Sequence, residues 1–206
     1  MDQKTVWESI AEPWKKNRKK PFDEVVDFLK DKHGTILDIG CGSGRNFIPG
    51  RSYVGIDFSK NMLKYAKKYS RKKKINAMLI KADATTLPVR NDYFDTVVYV
   101  AVLHTIKGKK SRKKSLLELK RVMKKNGKAV ITVWNKTQPK FFKAKKESYI
   151  PWKHRGKEYM RYYYLYDQRE LSDVLRSVNF KIEKIFGSES KSFNLFPRNV
   201  IAIVRK

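Results

Sequence analysis

The stretch Thr35-Ile36-Leu37-Asp38-Ile39-Gly40-Cys41-Gly42-Ser43-Gly44-Arg45-Asn46 decides how the rest of the chain is read. A short apolar run, Ile36, Leu37 and Ile39, carries an acid near its end and breaks into glycines at 40, 42 and 44. Glycine admits backbone angles that other residues avoid and lets a ligand come close to the main chain. A cradle of this kind at the carboxyl end of a strand is where open α/β sheets hold nucleotides. A dinucleotide fingerprint needs G-x-G-x-x-G, its third glycine packing helix on strand. Counted from Gly40, Arg45 occupies that third place, so the pattern is D-x-G-x-G-x-G. A tight strand-to-helix turn with no ligand is the plain alternative.

Working outward, Tyr53-Val54-Gly55-Ile56-Asp57 reads as the next strand. Asp57 ends it about twenty residues beyond Asp38, where a nucleotide fold places its ribose-binding acid. After Phe58, Ser59 suits a helix N-cap. Met62, one turn in, could lie against an adenine ring or pack in the core. Asn76–Lys81 reads as a third strand, and an acid at its end, Asp83 before Ala84, suits the exocyclic amine of adenine. Asp92–Val102 is a β-branched, nearly continuous apolar run of the kind buried on both faces of parallel sheets. It contains Val100 and leads to Leu103-His104. A helix from Ser111 to Lys125, stopped by Asn126-Gly127, precedes a fifth strand, Lys128–Trp134. A helix around Gln168–Ser177 and strands near Phe180–Phe186 and Asn199–Val204 complete the alternation. The expected fold class is α/β, Rossmann-like, with a seven-stranded, mostly parallel sheet and helices on both faces.

Two regions stand apart. Residues 4–20 read as one amphipathic helix, with Val6, Trp7, Ile10 and Trp14 at helical spacing and a basic tail that includes Arg18. Packing on the body is the plain reading of that aromatic stripe. Pro21 can open a second helix that ends before Gly34, so residues 1–34 are expected as N-terminal helices on one domain spanning 1–206. Residues 135–163 are basic, aromatic and read as irregular. Long insertions of this kind are commonly functional or disordered. Aromatics interleaved with Lys and Arg suit single-stranded RNA, whose bases stack while cations track phosphates.

At 206 residues, the chain is large enough for one well-cored domain. No apolar run approaches the roughly 20 residues that span a bilayer, and the start, with Asp2 and Glu8, does not read as a signal peptide. A cytoplasmic protein without a membrane anchor is expected. Cys41 is the only cysteine and there are three histidines, so no metal site is expected. Charge separates the function classes: 48 Lys and Arg against 20 Asp and Glu give a net +28. Heat-adapted surfaces raise Glu together with Lys, and here the acids are few. Such an imbalance costs self-repulsion and favours a polyanion, nucleic acid before an acidic subunit or a membrane surface.

Asp38–Gly44, Asp57-Phe58-Ser59, Ala82-Asp83-Ala84 and the segment from Phe94 to His104, four motifs in order at strand ends, resemble class I S-adenosylmethionine (AdoMet) methyltransferases. The resemblance implies AdoMet held by Asp38, Gly40, Cys41, Gly42, Gly44, Asp57, Phe58, Ser59, Met62, Asp83, Ala84 and Val100. Finer features resemble the tRNA wobble-uridine carboxymethyl methyltransferases, which include the methyltransferase domain of an AlkB-homologue tRNA hydroxylase. They are Trp7-Glu8-Ser9-Ile10-Ala11, Arg18, Lys20-Pro21, Ala101-Val102-Leu103-His104, Thr132-Val133-Trp134, Pro151-Trp152-Lys153 and above all Arg161-Tyr162-Tyr163-Tyr164-Leu165-Tyr166. The chain departs from that pattern at Tyr164 and Thr105, where histidines are expected, and at Trp7, where a tyrosine is.

The implied reaction is methyl esterification of 5-carboxymethyluridine at the wobble position, U34, with the tRNA anticodon loop as partner. The resemblance also implies a small zinc-binding activator subunit that adds a strand at the Asn76–Lys81 edge. A carboxylate is ionised at neutral pH, so no general base is needed. Arg18 and Arg161 are the candidates to clamp the carboxylate or a nearby phosphate, Tyr162 and Tyr163 to line the uridine pocket, and His104 to border the transfer site. Cys41 sits inside the cofactor turn and no N/D-P-P-Y motif is present, which argues for an oxygen acceptor. The alternatives are an O-methyltransferase for a small carboxylate or quinone-like molecule, and a non-catalytic RNA-binding protein of the same fold.

Overall fold

The computed structural model describes residues 1–16, 20–188 and 197–206. In chain order the elements are α1 (Gln3–Ser9), α2 (Ala11–Lys16), α3 (Asp23–Leu29), β1 (Thr35–Ile39), β2 (Ser52–Asp57), α4 (Lys60–Lys72), β3 (Asn76–Lys81) and β4 (Phe94–Val100). Next come α5 (Lys109–Val122), β5 (Met123–Trp134), β6 (Glu147–His154), β7 (Lys157–Tyr164), α6 (Gln168–Arg176), β8 (Lys181–Gly187) and β9 (Asn199–Arg205). The main sheet runs β3-β2-β1-β4-β5-β9-β8. Its first five strands are parallel, and β9 is antiparallel to both neighbours. The strand order turns back between β1 and β4, and the crevice at such a switch point is the standard ligand position of open α/β sheets.

Parallel strands covered on both faces should distribute their apolar side chains by parity, and they do. Leu37 and Ile39, Val97 and Tyr99, and Ala129, Ile131 and Val133 enter one buried cluster. Ile36, Val98 and Val130 face the other way, into a cluster with Phe47 and Tyr53. The expected seven-stranded mixed sheet is therefore present, with β1 near its middle.

Three local expectations are corrected. Residues 4–20 are not one helix: α1 ends at Ser9, Ile10 is a turn, and α2 starts at Ala11. Pro13 has no N–H to give Ser9, and its ring would meet that carbonyl, so the chain restarts with Pro13 inside a new first turn. Arg18, at the tail of that segment, lies outside the described residues. The helix expected to Lys125 ends at Val122, because Met123 is buried and already pairs with Phe94. Asn126-Gly127 is instead part of a bulge inside β5, where the register jumps from Phe94↔Met123 to Thr96↔Lys128.

The third correction concerns 135–163. It is not irregular: β6 and β7 form an antiparallel hairpin paired from Glu147↔Tyr164 to His154↔Lys157. Arg155 and Gly156, at φ 49° and 73°, supply the positive angles of a tight two-residue hairpin turn. The hairpin does not join the main sheet. Its Tyr163 shares a buried cluster with Trp7, Ile10 and Ala11 of the N-terminal segment, Met62 of α4, Phe141 and Leu165. Gln3 closes its edge, accepting from Tyr162 N at 2.7 Å and donating to Met160 O at 3.0 Å. No helix among the described residues is long and apolar enough to cross a membrane.

Replacing Gln3 with Ala removes both bonds and leaves a part-buried N–H unpaired, a cost of about 1–3 kcal/mol. The melting temperature should then fall by roughly 2–10 °C, measured by thermal unfolding. No change would show that the aromatic packing alone seats the hairpin.

Candidate active site

The glycine turn is held open by its neighbours. Gly40 N and Cys41 N both donate to Ile56 O, at 2.7 and 3.0 Å, which pulls the start of the turn over β2. Gly40, at φ 68°, has no room for a side chain: an added Cβ would lie 2.2 Å from Val102 Cγ2. Gly42, at φ 55°, faces open space within 4 Å, the position where a ligand can approach the main chain. Asp57 secures the turn from the end of β2, its Oδ2 accepting from Gly42 N and its Oδ1 from Ser59 N, both at 2.9 Å. Ser59 Oγ in turn caps α4 by accepting from Met62 N at 3.0 Å.

This end of the site concentrates buried negative charge. Asp38 is 1% exposed, and neither carboxylate oxygen has a hydrogen-bond partner among the described residues. Burial, then the charge of Asp57, hold its pKa well above the usual carboxylate range, against a smaller opposing pull from Arg45. Burial raises Asp57 to about 6, opposed by the bonds from Ser59 and Gly42. Cys41 is driven the same way, by burial first and then by Asp38 and Asp57. It is a protonated wall residue, not a nucleophile.

A cleft of about 980 Å³ runs from the glycine turn to the hairpin. Gly40, Cys41, Gly42, Asp57, Phe58, Met62, Ala84 and Val100 line one end, with Asp38 behind that wall; His104, Trp134, Arg161 and Tyr163 line the other. Gly44 and Ser59 support the turn from behind. Asp83 is a correction: the wall there is Ala82 and Ala84. Its Oδ1 is taken by Thr85 N and Oγ1, at 2.9 and 2.8 Å, and Oδ2 by Lys4 at 3.0 Å.

At the hairpin end, Arg161 is 5% exposed. It donates from Nη1 to the Tyr163 hydroxyl at 3.0 Å and from Nη2 toward Pro151 O at 3.4 Å. Its guanidinium lies 4.9 Å from the Trp152 ring, 5.3 Å from Tyr163 and 5.5 Å from Trp14. Nε has no partner, and Arg161 has no ion pair among the described residues. Burial lowers its pKa, yet an arginine stays charged.

Tyr163 stacks on Trp134 at 4.1 Å with the rings 4° from parallel, and on His104 at 5.4 Å. His104 Nδ1 accepts from Trp134 N at 3.3 Å, which leaves Nε2 as the protonated nitrogen. Burial lowers its pKa to about 3, so it is a neutral imidazole. Tyr162 is the second correction. Strand parity turns it away from the cleft, where its hydroxyl accepts from Arg112 Nη1 at 2.9 Å. Residues missed as cleft walls are Trp14, read as packing, and Gln138, Lys140 and Arg198. Lys140 was visible only as one cation in a basic run, and no local motif marks Arg198.

A methyltransferase-domain family model matches residues 37–131. Among solved structures, a SAM-dependent methyltransferase from Methanosarcina mazei superposes with TM-score 0.75 at 20% identity, covering 91% of this chain and 98% of that one. The 1,6-didemethyltoxoflavin-N1-methyltransferase of Burkholderia thailandensis, solved with S-adenosylhomocysteine, gives 0.72 at 13% identity, covering 98% and 88%. With the sheet order and the glycine turn, these likenesses give the chain the class I AdoMet-dependent methyltransferase fold, with a methyltransferase-domain match over residues 37–131.

Within that class its sequence relatives include tRNA methyltransferases. The tRNA (carboxymethyluridine(34)-5-O)-methyltransferase of Arabidopsis thaliana is 32% identical over 133 residues, 63% of this chain and 31% of that protein. The alkbh8 enzyme of the same name in Xenopus tropicalis is 31% identical over 156 residues, 71% of this chain and 24% of that protein. A protein named as a methyltransferase in Encephalitozoon cuniculi is 29% identical over 173 residues, 81% of this chain and 79% of that protein. The chain thus spans most of the last but a third or less of the first two.

The residues fit the cofactor. A buried carboxylate without a partner suits AdoMet's amino group, and the open face of Gly42 leaves room for its chain. Asp57, accepting one bond on each oxygen, keeps lone pairs for ribose hydroxyls.

Asp38→Asn removes a buried charge that no described residue pairs. Because the folded pKa is raised, the ionised acid destabilises the ligand-free protein increasingly as pH climbs above the unfolded value near 3.9. The variant should melt at least as high as wild type at pH 7, with the advantage vanishing toward pH 3, while its AdoMet affinity drops by about tenfold or more. Thermal scans and calorimetry measure the two; unchanged affinity would remove Asp38 from the site.

Proposed function

We propose that the chain methyl-esterifies the carboxylate of 5-carboxymethyluridine at the wobble position of tRNA. The observation that carries this reading is Arg161, a permanent cation buried in the cofactor's own cleft, with an unpartnered Nε and no acid beside it among the described residues. A buried unpaired charge is costly, and an anionic acceptor removes that cost. The net charge of +28 and the tRNA-directed relatives favour an acceptor carried on nucleic acid over a free small acid.

AdoMet supplies an electrophilic methyl group, and the chain's residues have only to present the acceptor. A hydrogen bond from the Arg161 guanidinium, which lines the cleft, to one carboxylate oxygen would orient the group and leave the other oxygen unencumbered. The acceptor is already ionised, so no proton has to be removed, and His104, its pKa lowered by burial to about 3 and so neutral at physiological pH, serves as wall and donor, not as base. The rings of Trp14, Trp134, Trp152 and Tyr163 exclude water, which strengthens the contact. Arg18 is proposed to help hold the acceptor's charge. A small zinc-binding activator is proposed on the free edge of β3, where Met78 is 63% exposed and an uncovered apolar edge is a liability.

Incubating AdoMet, the chain and its activator with tRNA that carries 5-carboxymethyluridine should convert that nucleoside to its methyl ester, read by nucleoside mass spectrometry. If it stays unmethylated while another nucleoside gains a methyl, the reading fails. Arg161→Ala should lower kcat/KM for tRNA by about 100-fold or more, with AdoMet affinity within twofold of wild type. A parallel loss of cofactor binding would make Arg161 a structural residue.

A further inference from the structure

The mouth of the cleft carries two cations that esterification does not use. Lys140 and Arg198 both line it, both are exposed, and neither forms an ion pair among the described residues. They come from segments nearly sixty positions apart and are laced together by the main chain. Arg198 O accepts from Asn135 N at 3.0 Å and from Gln138 Nε2 at 2.9 Å, and the same amide donates to Asn135 O at 2.9 Å. Lys140 Nζ rests 4.8 Å from the Trp134 ring and 4.7 Å from Phe141. Burial, then the charges of Arg198 and Arg161, lower its pKa. Three cations therefore share one wall, and only an anion relieves their repulsion.

Beside them the short helical turn at 139–141 sorts two adjacent rings. Phe141 is 5% exposed in the cluster under the hairpin, while Phe142 is 87% exposed. The turn is fixed by Phe141 N donating to Gln138 O at 2.8 Å and Phe142 N to Pro139 O at 3.2 Å. A fully presented aromatic next to paired cations is the surface on which single-stranded nucleic acids stack bases and lay phosphates.

We propose that Lys140 and Arg198 grip a backbone phosphate next to the target nucleotide, and that Phe142 receives the neighbouring base. This rests on the esterification reading and adds to it that the acceptor is recognised as a polynucleotide at the cleft mouth, not by its nucleobase alone. Arg161 then answers the carboxylate, and the outer pair the chain that carries it.

The test is fluorescence anisotropy of a labelled single-stranded RNA with 5-carboxymethyluridine at its centre, with AdoMet affinity as the control for folding. K140A/R198A should weaken RNA binding about tenfold or more and reduce the slope of log affinity against log salt by about 0.7 for each phosphate that is no longer gripped. The charge-keeping exchange K140R/R198K should restore most of the affinity. Phe142→Ala should cost about tenfold, and the cost should vanish on an RNA whose neighbouring position is abasic. RNA affinity within twofold of wild type in K140A/R198A, or an unchanged salt slope, overturns the clamp. If wild type binds this RNA through these residues yet forms no ester, the clamp stands and the esterification reading falls. If wild type forms the ester and K140A/R198A binds RNA unchanged, the reverse holds.

Discussion

A guanidinium buried without a carboxylate has to be held by something else, and at Arg161 it is held by rings and a hydroxyl. Trp14 comes from the second N-terminal helix, Trp152 from β6 and Tyr163 from β7. Tyr163 is fixed in turn by its stack on Trp134, the last residue of a central strand. Three parts of the chain therefore converge on one side chain, and none would bury its aromatic surface as well alone. The N-terminal helices and the hairpin look peripheral in the topology. In packing terms they are the far wall of the active site.

The cleft is polarised by these choices. At the glycine turn, Asp38 and Asp57 place acid behind a backbone with open space at Gly42. At the hairpin end, the charged side chains among the described lining residues are the cations Arg161, Lys140 and Arg198. A zwitterionic cofactor with a cationic amino group and an anionic acceptor fit such a field in one orientation. Both ends cost stability when nothing is bound, because each keeps charges that burial disfavours. That cost is the ordinary signature of a site built for ligands.

The sheet was legible because parallel strands buried on both faces are nearly continuous apolar runs, and because the glycines and Asp57 sit at their carboxyl ends. The hairpin was not, because Pro151 argues against a strand and Arg155-Gly156 is a weak turn signal beside so many cations. Without the hairpin, the parity rule that separates Tyr163, in the cleft, from Tyr162, on Arg112, stays hidden. Asn126-Gly127 looked like a helix stop because that pair does stop helices; here tertiary pairing of Met123 had already ended the helix. Asp83 stays out of the cleft's lining for a reason no local pattern carries, since Lys4 reaches it from the other end of the fold. Arg198 acquires its place only through the latch to Asn135 and Gln138. Contacts between distant segments were the illegible part, and they are what completes the hairpin end of the cleft.

The central claim is that the methyl group ends on a carboxylate oxygen. Methyl esters are cleaved by mild alkali, whereas methyl groups on ring nitrogen, ring carbon or ribose survive it. After transfer from methyl-labelled AdoMet to tRNA bearing 5-carboxymethyluridine, mild alkaline treatment should release the label as volatile methanol. Label that remains on the RNA, or no incorporation with activator present, would contradict the assignment.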